Sequence, residues 1–164
     1  SWVVADLGCG TGASAAELAP WVSGIEAIDR EEGMLEAASS RLQSYEHVRY
    51  HQAELTDLPL EDASVNAALI SLVLHHMEDP LAAIEEALRI VEPGGPVIVV
   101  DMVEHDRALY RDSMGHMHLG FSCEEIESWA SKSGCERVRI QHLRPDMGAS
   151  GPGLFVARFT SPAR

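Results

Sequence analysis

Three glycines alternate at Gly8, Gly10 and Gly12, directly behind the apolar run Trp2, Val3, Val4, Ala5 and Leu7. This arrangement constrains the fold more than any other stretch. A near-continuous apolar run predicts a parallel strand buried on both faces. Glycine lacks Cβ, so the alternating glycines allow a sharp turn and let a ligand lie against the backbone. The amides there, and those opening the next helix, can bind anionic groups. A strand, a glycine turn and a helix in that order predict an open α/β sheet with a nucleotide-like ligand at the strand ends.

Two ligand classes fit the turn. Gly8-x-Gly10-x-x-Ala13, with Asp29 about 20 residues on, satisfies a relaxed dinucleotide fingerprint and would suit an NAD-dependent oxidoreductase. The third alternating glycine, and the acid two residues before the first, favour another cofactor. Asp6-Leu7-Gly8-Cys9-Gly10-Thr11-Gly12 resembles motif I of the class I methyltransferases, which use S-adenosylmethionine and release S-adenosylhomocysteine. In that family the turn wraps the amino-acid end of the cofactor. The resemblance therefore makes Asp6, Gly8, Cys9, Gly10, Thr11 and Gly12 candidate cofactor residues.

Further along, Ile25-Glu26-Ala27-Ile28-Asp29 reads as a second strand ending on an acid. The resemblance gives Asp29 the ribose hydroxyls. A carboxylate suits that task, being acceptor-only and able to take two donors. A helix N-cap is the other reading of Asp29, because a helix over 31–44 follows at once. Arg30 and Met34, beside the ribose position, are also cofactor candidates. Val48–His51 is a short third strand. The stretch from Gln52 to Leu60, ending in Asp57-Leu58-Pro59-Leu60, resembles the family's loop after its third strand. The match sets Glu54 toward the adenine amino group and Leu55 on the ring, although the family more often has Gly-Asp where this chain has Ala53-Glu54.

A fourth strand over 65–73 places Ser71 and Leu72 at its carboxyl end, on the cofactor side. His75 and His76 follow, near the methyl to be transferred. Either could bind substrate or take a proton, and either could be structural. Adjacent side chains are expected to diverge, so the pair is no metal site by itself. Asp79-Pro80 is an N-cap with proline at the first helical position. Pro93-Gly94-Gly95-Pro96 ends that helix, and Val97–Asp101 is a fifth strand. Ser122-x-x-Glu125 is a capping box. The last two strands run over 138–141 and 153–159, with the loop from Pro145 to Pro152 between them.

The segment from Glu104 to Phe121 is the most individual. Tyr110, His116 and His118 make it a candidate substrate lid, hinged at Gly115 and Gly120, with either histidine as general base. His116 and His118 lie two apart with no cysteine nearby, so no metal site is expected. The competing reading is a helix laid on the core through Met114, Met117, Leu119 and Phe121.

Composition narrows the class. At 164 residues and 46% hydrophobic, the chain is one ordered domain. Twelve basic residues face 26 acidic ones, for a net charge of −14. Such a field disfavours direct nucleic-acid binding. No apolar run is long enough to span a bilayer. Three cysteines without metal spacing fit a reduced, cytoplasmic protein. The early first strand is expected of a domain, residues 1–164, cut from a longer chain.

The family match runs over nearly the whole chain, and His105-Asp106-Arg107, the run from Met114 to Phe121, Ser122-x-Glu124-Glu125-Ile126 and the run from Gly148 to Ala157 resemble one subgroup in particular: bacterial methyltransferase domains fused behind ArsR-type winged-helix regulators. The resemblance implies a Rossmann-like sheet of seven strands, mostly parallel with an antiparallel last strand, and helices on both faces. It implies methyl transfer by SN2 displacement to a small-molecule acceptor, with a fused or partner DNA-binding domain. A domain that senses S-adenosylmethionine without turnover is the alternative.

Overall fold

The computed structural model describes residues 2–107, 109–145, 148 and 151–163, the side chains of 111–113 excepted. Seven strands form one sheet: β1 (Val3–Leu7), β2 (Gly24–Asp29), β3 (Val48–Gln52), β4 (Ala67–Ser71), β5 (Pro96–Met102), β6 (Arg137–His142) and β7 (Leu154–Thr160). Their spatial order is β3-β2-β1-β4-β5-β7-β6. Strands β1 to β5 pair in parallel, while β7 runs antiparallel to both β5 and β6. The expected architecture is the one observed.

The sheet carries an apolar core on each face. On one side α1 (Ala13–Leu18) and α2 (Glu32–Arg41) bring Ala15, Ala38 and Leu42 onto Ile25 and Ala27. On the other, α3 (Pro80–Ile90) and α5 (Cys123–Lys132) bring Ile84, Leu88 and Ile126 onto Leu7, Ile70 and Val99. The small residues on α1 and α2 let these helices lie close. A Cβ on Gly12 would stand 3.1 Å from that of Ala38, so this glycine lets α2 approach the turn. Asn66 extends the β1–β4 ladder, its Oδ1 accepting from the Val3 amide at 2.7 Å.

Helix ends follow their chemistry. Asp79 Oδ1 caps α3 by accepting from the Ala82 amide at 3.1 Å. The capping box of α5 closes both ways, Glu125 N to Ser122 Oγ at 3.2 Å and Ser122 N to Glu125 Oε2 at 2.9 Å. A buried α5 side chain, Ile126, then reaches the core, and Trp129 stands edge-on to Phe121.

Three elements differ from expectation. The first helix, which the alanine and leucine spacing predicts from Thr11 to about Pro20, stops at Leu18 and tightens into a 3-10 turn over Ala19–Trp21, where Pro20 sits. Strand β4 covers only Ala67–Ser71. Val65 makes an isolated bridge to Val91, and Leu72 turns to φ +57°, so the backbone leaves the sheet there and enters a 3-10 turn over Leu74–His76. The segment after β5 is not a helix on the core. Only α4 (Leu109–Met114) is helical. Met114 and Met117 are exposed, whereas Phe121 is fully buried and bridges Val103. Gly120, at φ +76°, packs against the Val103 carbonyl, where a Cβ would collide, so glycine is required there. Gly115, at φ +67° with open space around it, is the turn that lets the chain reverse. Half of the expected loop from Pro145 to Pro152 lies outside the described residues.

Candidate cofactor cleft and histidine cluster

The glycine turn is fastened to the end of β2. The Gly8 and Cys9 amides both donate to the Ile28 carbonyl, at 2.8 and 2.9 Å. The Gly10 amide donates to Asp29 Oδ2 at 2.8 Å, and the Glu31 amide to Asp29 Oδ1 at 3.0 Å. Asp29 therefore does not cap α2, whose N-cap is Glu31; it clamps the turn. Both its oxygens keep a lone pair for further donors.

The glycines serve different purposes. A Cβ on Gly8 would meet Val73 Cγ2 at 2.5 Å, so that glycine is required by packing. Gly10, at φ +51°, has nothing within 4 Å of where its Cβ would be. Its open side faces a cleft of about 480 Å³. Of the residues read from sequence as cofactor ligands, Gly8, Gly10, Asp29, Arg30, Met34, Glu54, Leu55 and Leu72 line this cleft. Met34 and Leu72 leave large apolar surface in solvent, 43% and 46% of their full exposure. Asp6, Cys9, Thr11, Gly12 and Ser71 do not line it. Gly12 is covered by Ala38 and Leu42. The Cys9 thiol is pushed up to about 12, by burial first and then by the charges of Asp6 and Asp29, so it is inert. Glu31, Ala53, Val73, His76 and Met77 complete the wall; Val73 and His76 belong to the stretch after Ser71 expected near the methyl, whereas Ala53 and Met77 carried no signal in the sequence.

Asp6 lies beneath the turn, 2% exposed. Its Oδ2 has no hydrogen-bond partner among the described residues. Burial raises its carboxyl to about 6; the Ala15 amide opposes the rise, and the negative charge of Asp29 adds to it. A buried carboxylate short of donors is a place where a cation is stabilised.

At the far end of the cleft, past Leu72, the candidate catalytic residues gather. His75 is buried, and its Nδ1 and Asp101 Oδ1 are 2.7 Å apart. Asp101 is fully buried and also accepts from the Met102 amide at 2.8 Å. The rings of His75 and His76 lie 4.1 Å apart, and His116 stands 4.3 Å from His75 and 4.9 Å from His76. Tyr110 joins at 5.3 Å from His116. The adjacent histidines thus do not diverge: the 3-10 turn sets both rings on one side, and the reversal at Gly115 brings His116 onto them. This corrects the expectation that the side chains of the adjacent histidines diverge. The group of His75, His76 and His116 has its ligand nitrogens within 4.8 Å of one another.

His118 stands apart from that group. Its Nε2 donates to the Met77 carbonyl at 3.0 Å, and its amide and that of Met117 both donate to the His75 carbonyl. These bonds tie the segment down and fix the His118 ring with Nε2 as its donor, so that Nδ1 carries the basic lone pair. His116 is 8% exposed, and its Nδ1 has no partner among the described residues. Burial is the main force lowering its pKa, followed by the neighbouring His75, His76 and His105. Asp101 escaped sequence reading. The available signal was a charged residue closing a run of valines, since a buried acid requires a partner.

An open glycine turn at the switch point of this sheet, with an acid at the end of β2, defines the Rossmann-like class I methyltransferase fold. Solved structures share it: YcgJ of Bacillus subtilis superposes with a TM-score of 0.83 at 18% identity, over 100% of this chain and 93% of that one. The cyclase SpnF does so equally, at 0.83 and 19% identity, over 100% of this chain and 76% of that one, so the fold alone does not define the reaction. Residues 5–99 match the family described as methyltransferase domain, and the chain belongs to it. The cofactor of this class is S-adenosylmethionine, which removes the dinucleotide alternative. Among curated relatives, the demethylmenaquinone methyltransferase of Clavibacter sepedonicus is 38% identical over 98 residues, 60% of this chain and 40% of that protein. The chain spans between 27% and 60% of the length of the curated relatives it matches.

Proposed function

We propose that the chain binds S-adenosylmethionine in the cleft and transfers its methyl group to a small-molecule acceptor at the histidine end. The observation that carries this reading is the open side of Gly10 beside Asp29, above a buried carboxylate with an unfilled bonding position. A cleft of about 480 Å³ suits one ligand of that size, ligand sites running from about 300 to 1,000 Å³. Asp29 takes the ribose hydroxyls. Met34 and Leu55 give apolar contact, Glu54 accepts from the adenine amino group, and Asp6 balances the ammonium charge.

When bound, the cofactor supplies an electrophilic methyl on a sulfonium. The chain's own task is then alignment and exclusion of water. Leu72, Val73 and Met77 form the apolar wall on the acceptor side, and His76 is the polar group in that wall. His118, committed to Met77, positions the wall. The finer likeness to domains fused behind ArsR-type regulators rests on the motifs between residues 105 and 157, and the described residues form no winged helix.

Calorimetric titration with S-adenosylmethionine, S-adenosylhomocysteine and NAD tests the cofactor. Binding of the first two without the third is expected, and NAD binding with no response to either adenosyl compound would overturn it. Incubation with labelled S-adenosylmethionine and small-molecule extracts then tests turnover. Binding without any labelled product would leave a sensing domain in place of an enzyme.

A further inference from the structure

Three imidazoles from two distant stretches of chain converge beside the cleft, and methyl transfer as described above has no use for all three. We propose that His75, His76 and His116 hold a divalent first-row transition metal ion, zinc before the others. One ring nitrogen from each lies within 4.8 Å of the other two. Tetrahedral zinc with bonds of about 2.0–2.1 Å sets its ligand nitrogens about 3.3 Å apart, which small ring rotations reach.

The second layer of bonds favours the same reading. His75 Nδ1 is bound to Asp101 Oδ1 at 2.7 Å, which leaves Nε2 as the free nitrogen. A carboxylate behind a metal-bound histidine fixes its tautomer and raises its basicity. His76 Nδ1 donates to the Gly115 carbonyl at 3.3 Å, again leaving Nε2. His116 is more than nine-tenths buried, and one ring nitrogen has no partner among the described residues, an arrangement that native interiors seldom leave unsatisfied. All three ligands are imidazoles, which suit zinc, copper, nickel and iron better than calcium or magnesium.

Three protein ligands leave one coordination position open, as in catalytic rather than structural zinc sites. His76 belongs to the cleft wall, so the metal borders the space assigned to the acceptor. On the methyl-transfer reading, that position takes an acceptor oxygen, a hydroxyl or a carboxylate. Coordination of a hydroxyl oxygen lowers its pKa; the O–H proton passes to solvent, the oxygen keeps the electron pair, and the metal keeps its oxidation state.

The test uses metal-stripped protein titrated with Zn(II) by calorimetry and with Co(II) by visible absorption, without cofactor or acceptor. One equivalent is expected, with a Co(II) spectrum free of thiolate charge transfer. His76→Ala and His116→Gln should abolish stoichiometric uptake, and Asp101→Asn should weaken it about 10- to 100-fold. His47→Gln is the control, its ring being bound to the Ala19 carbonyl elsewhere in the fold. His76 is exposed, so its variant should keep the melting temperature and remain interpretable if a buried variant unfolds. No stoichiometric uptake would overturn the proposal. So would uptake that survives both His76→Ala and His116→Gln, or a thiolate band from Cys123, whose Sγ is 3.8 Å from His142 Nε2. The readout is metal binding, so failure of the methyl-transfer reading would leave this result standing.

Discussion

Two carboxylates carry opposite duties within one turn. Asp29 is spent on holding the Gly10 and Glu31 amides and still has lone pairs for a ribose. Hydrogen bonds to a charged group are worth about 1.5–3 kcal/mol. Asp29→Ala should therefore weaken S-adenosylmethionine by about 10- to 100-fold in calorimetry, with part of the loss from the loosened turn. Asp6 makes the second prediction. Its carboxyl titrates at about 6 in the folded chain, against an ordinary value of 3.8. From about pH 4 to 6 the folded state holds a proton that the unfolded state has released. This group's contribution therefore falls as pH rises, by about 3 kcal/mol at most, and the loss is complete above pH 6. Asp6→Asn should stabilise the ligand-free protein at pH 8 and hardly change it at pH 4. If Asp6 faces the cofactor ammonium, affinity should rise from pH 4.5 to 6.5 and then level off in the wild type. The same titration of Asp6→Asn should be flat, and a flat wild-type curve would move the ammonium elsewhere. Asp29 was legible because its position follows from strand length and glycine spacing. The histidine cluster was not. Nothing in Leu74-His75-His76 tells that the chain will tighten into a 3-10 turn, or that Gly115 will return His116 to it.

Strand ends are where sequence reading lost its grip. Interiors of β1, β2 and β5 were readable, since each is apolar on both faces, but β4 looked as if it continued through Val73. The break comes at Leu72, a non-glycine residue at φ +57°. The left-handed conformation costs an L-residue about 1–2 kcal/mol, and Leu72 recovers little by burial because it is 46% exposed. Strain of this kind collects at ligand sites. Leu72→Gly should raise the thermal midpoint of the ligand-free protein while weakening the cofactor, whose cleft loses an apolar wall. A lower midpoint would mean that the Leu72 side chain stabilises the turn more than its backbone strains it. The segment of 104–121 failed to read as one element for a related reason. Its apolar residues have helical spacing, but only Phe121 is used in the core, and Met114 and Met117 stay in solvent.

Across the whole molecule, charge is the unbalanced quantity. A net charge of −14 on 164 residues repels itself in the compact state more than in the extended one. Sodium chloride raised from 20 to 300 mM should increase the melting temperature. A fall would show that local pairs such as Glu86–Arg89–Asp62, with N to O distances of 2.8 and 2.9 Å, outweigh the general repulsion. The strand order was legible only through resemblance, because no local pattern tells β7 to lie between two strands that precede it in the chain. That order has a consequence for synthesis. A ribosome releases β6 before β7, yet among the described residues β6 has no neighbour in the sheet except β7. The nascent chain can close the five parallel strands early, with their cofactor loops in place. It must keep β6 waiting, unpaired, until the antiparallel strand slides in between. During that interval the outer edge of β5 is bare as well, and a chaperone that shields unpaired strand edges would have its target there.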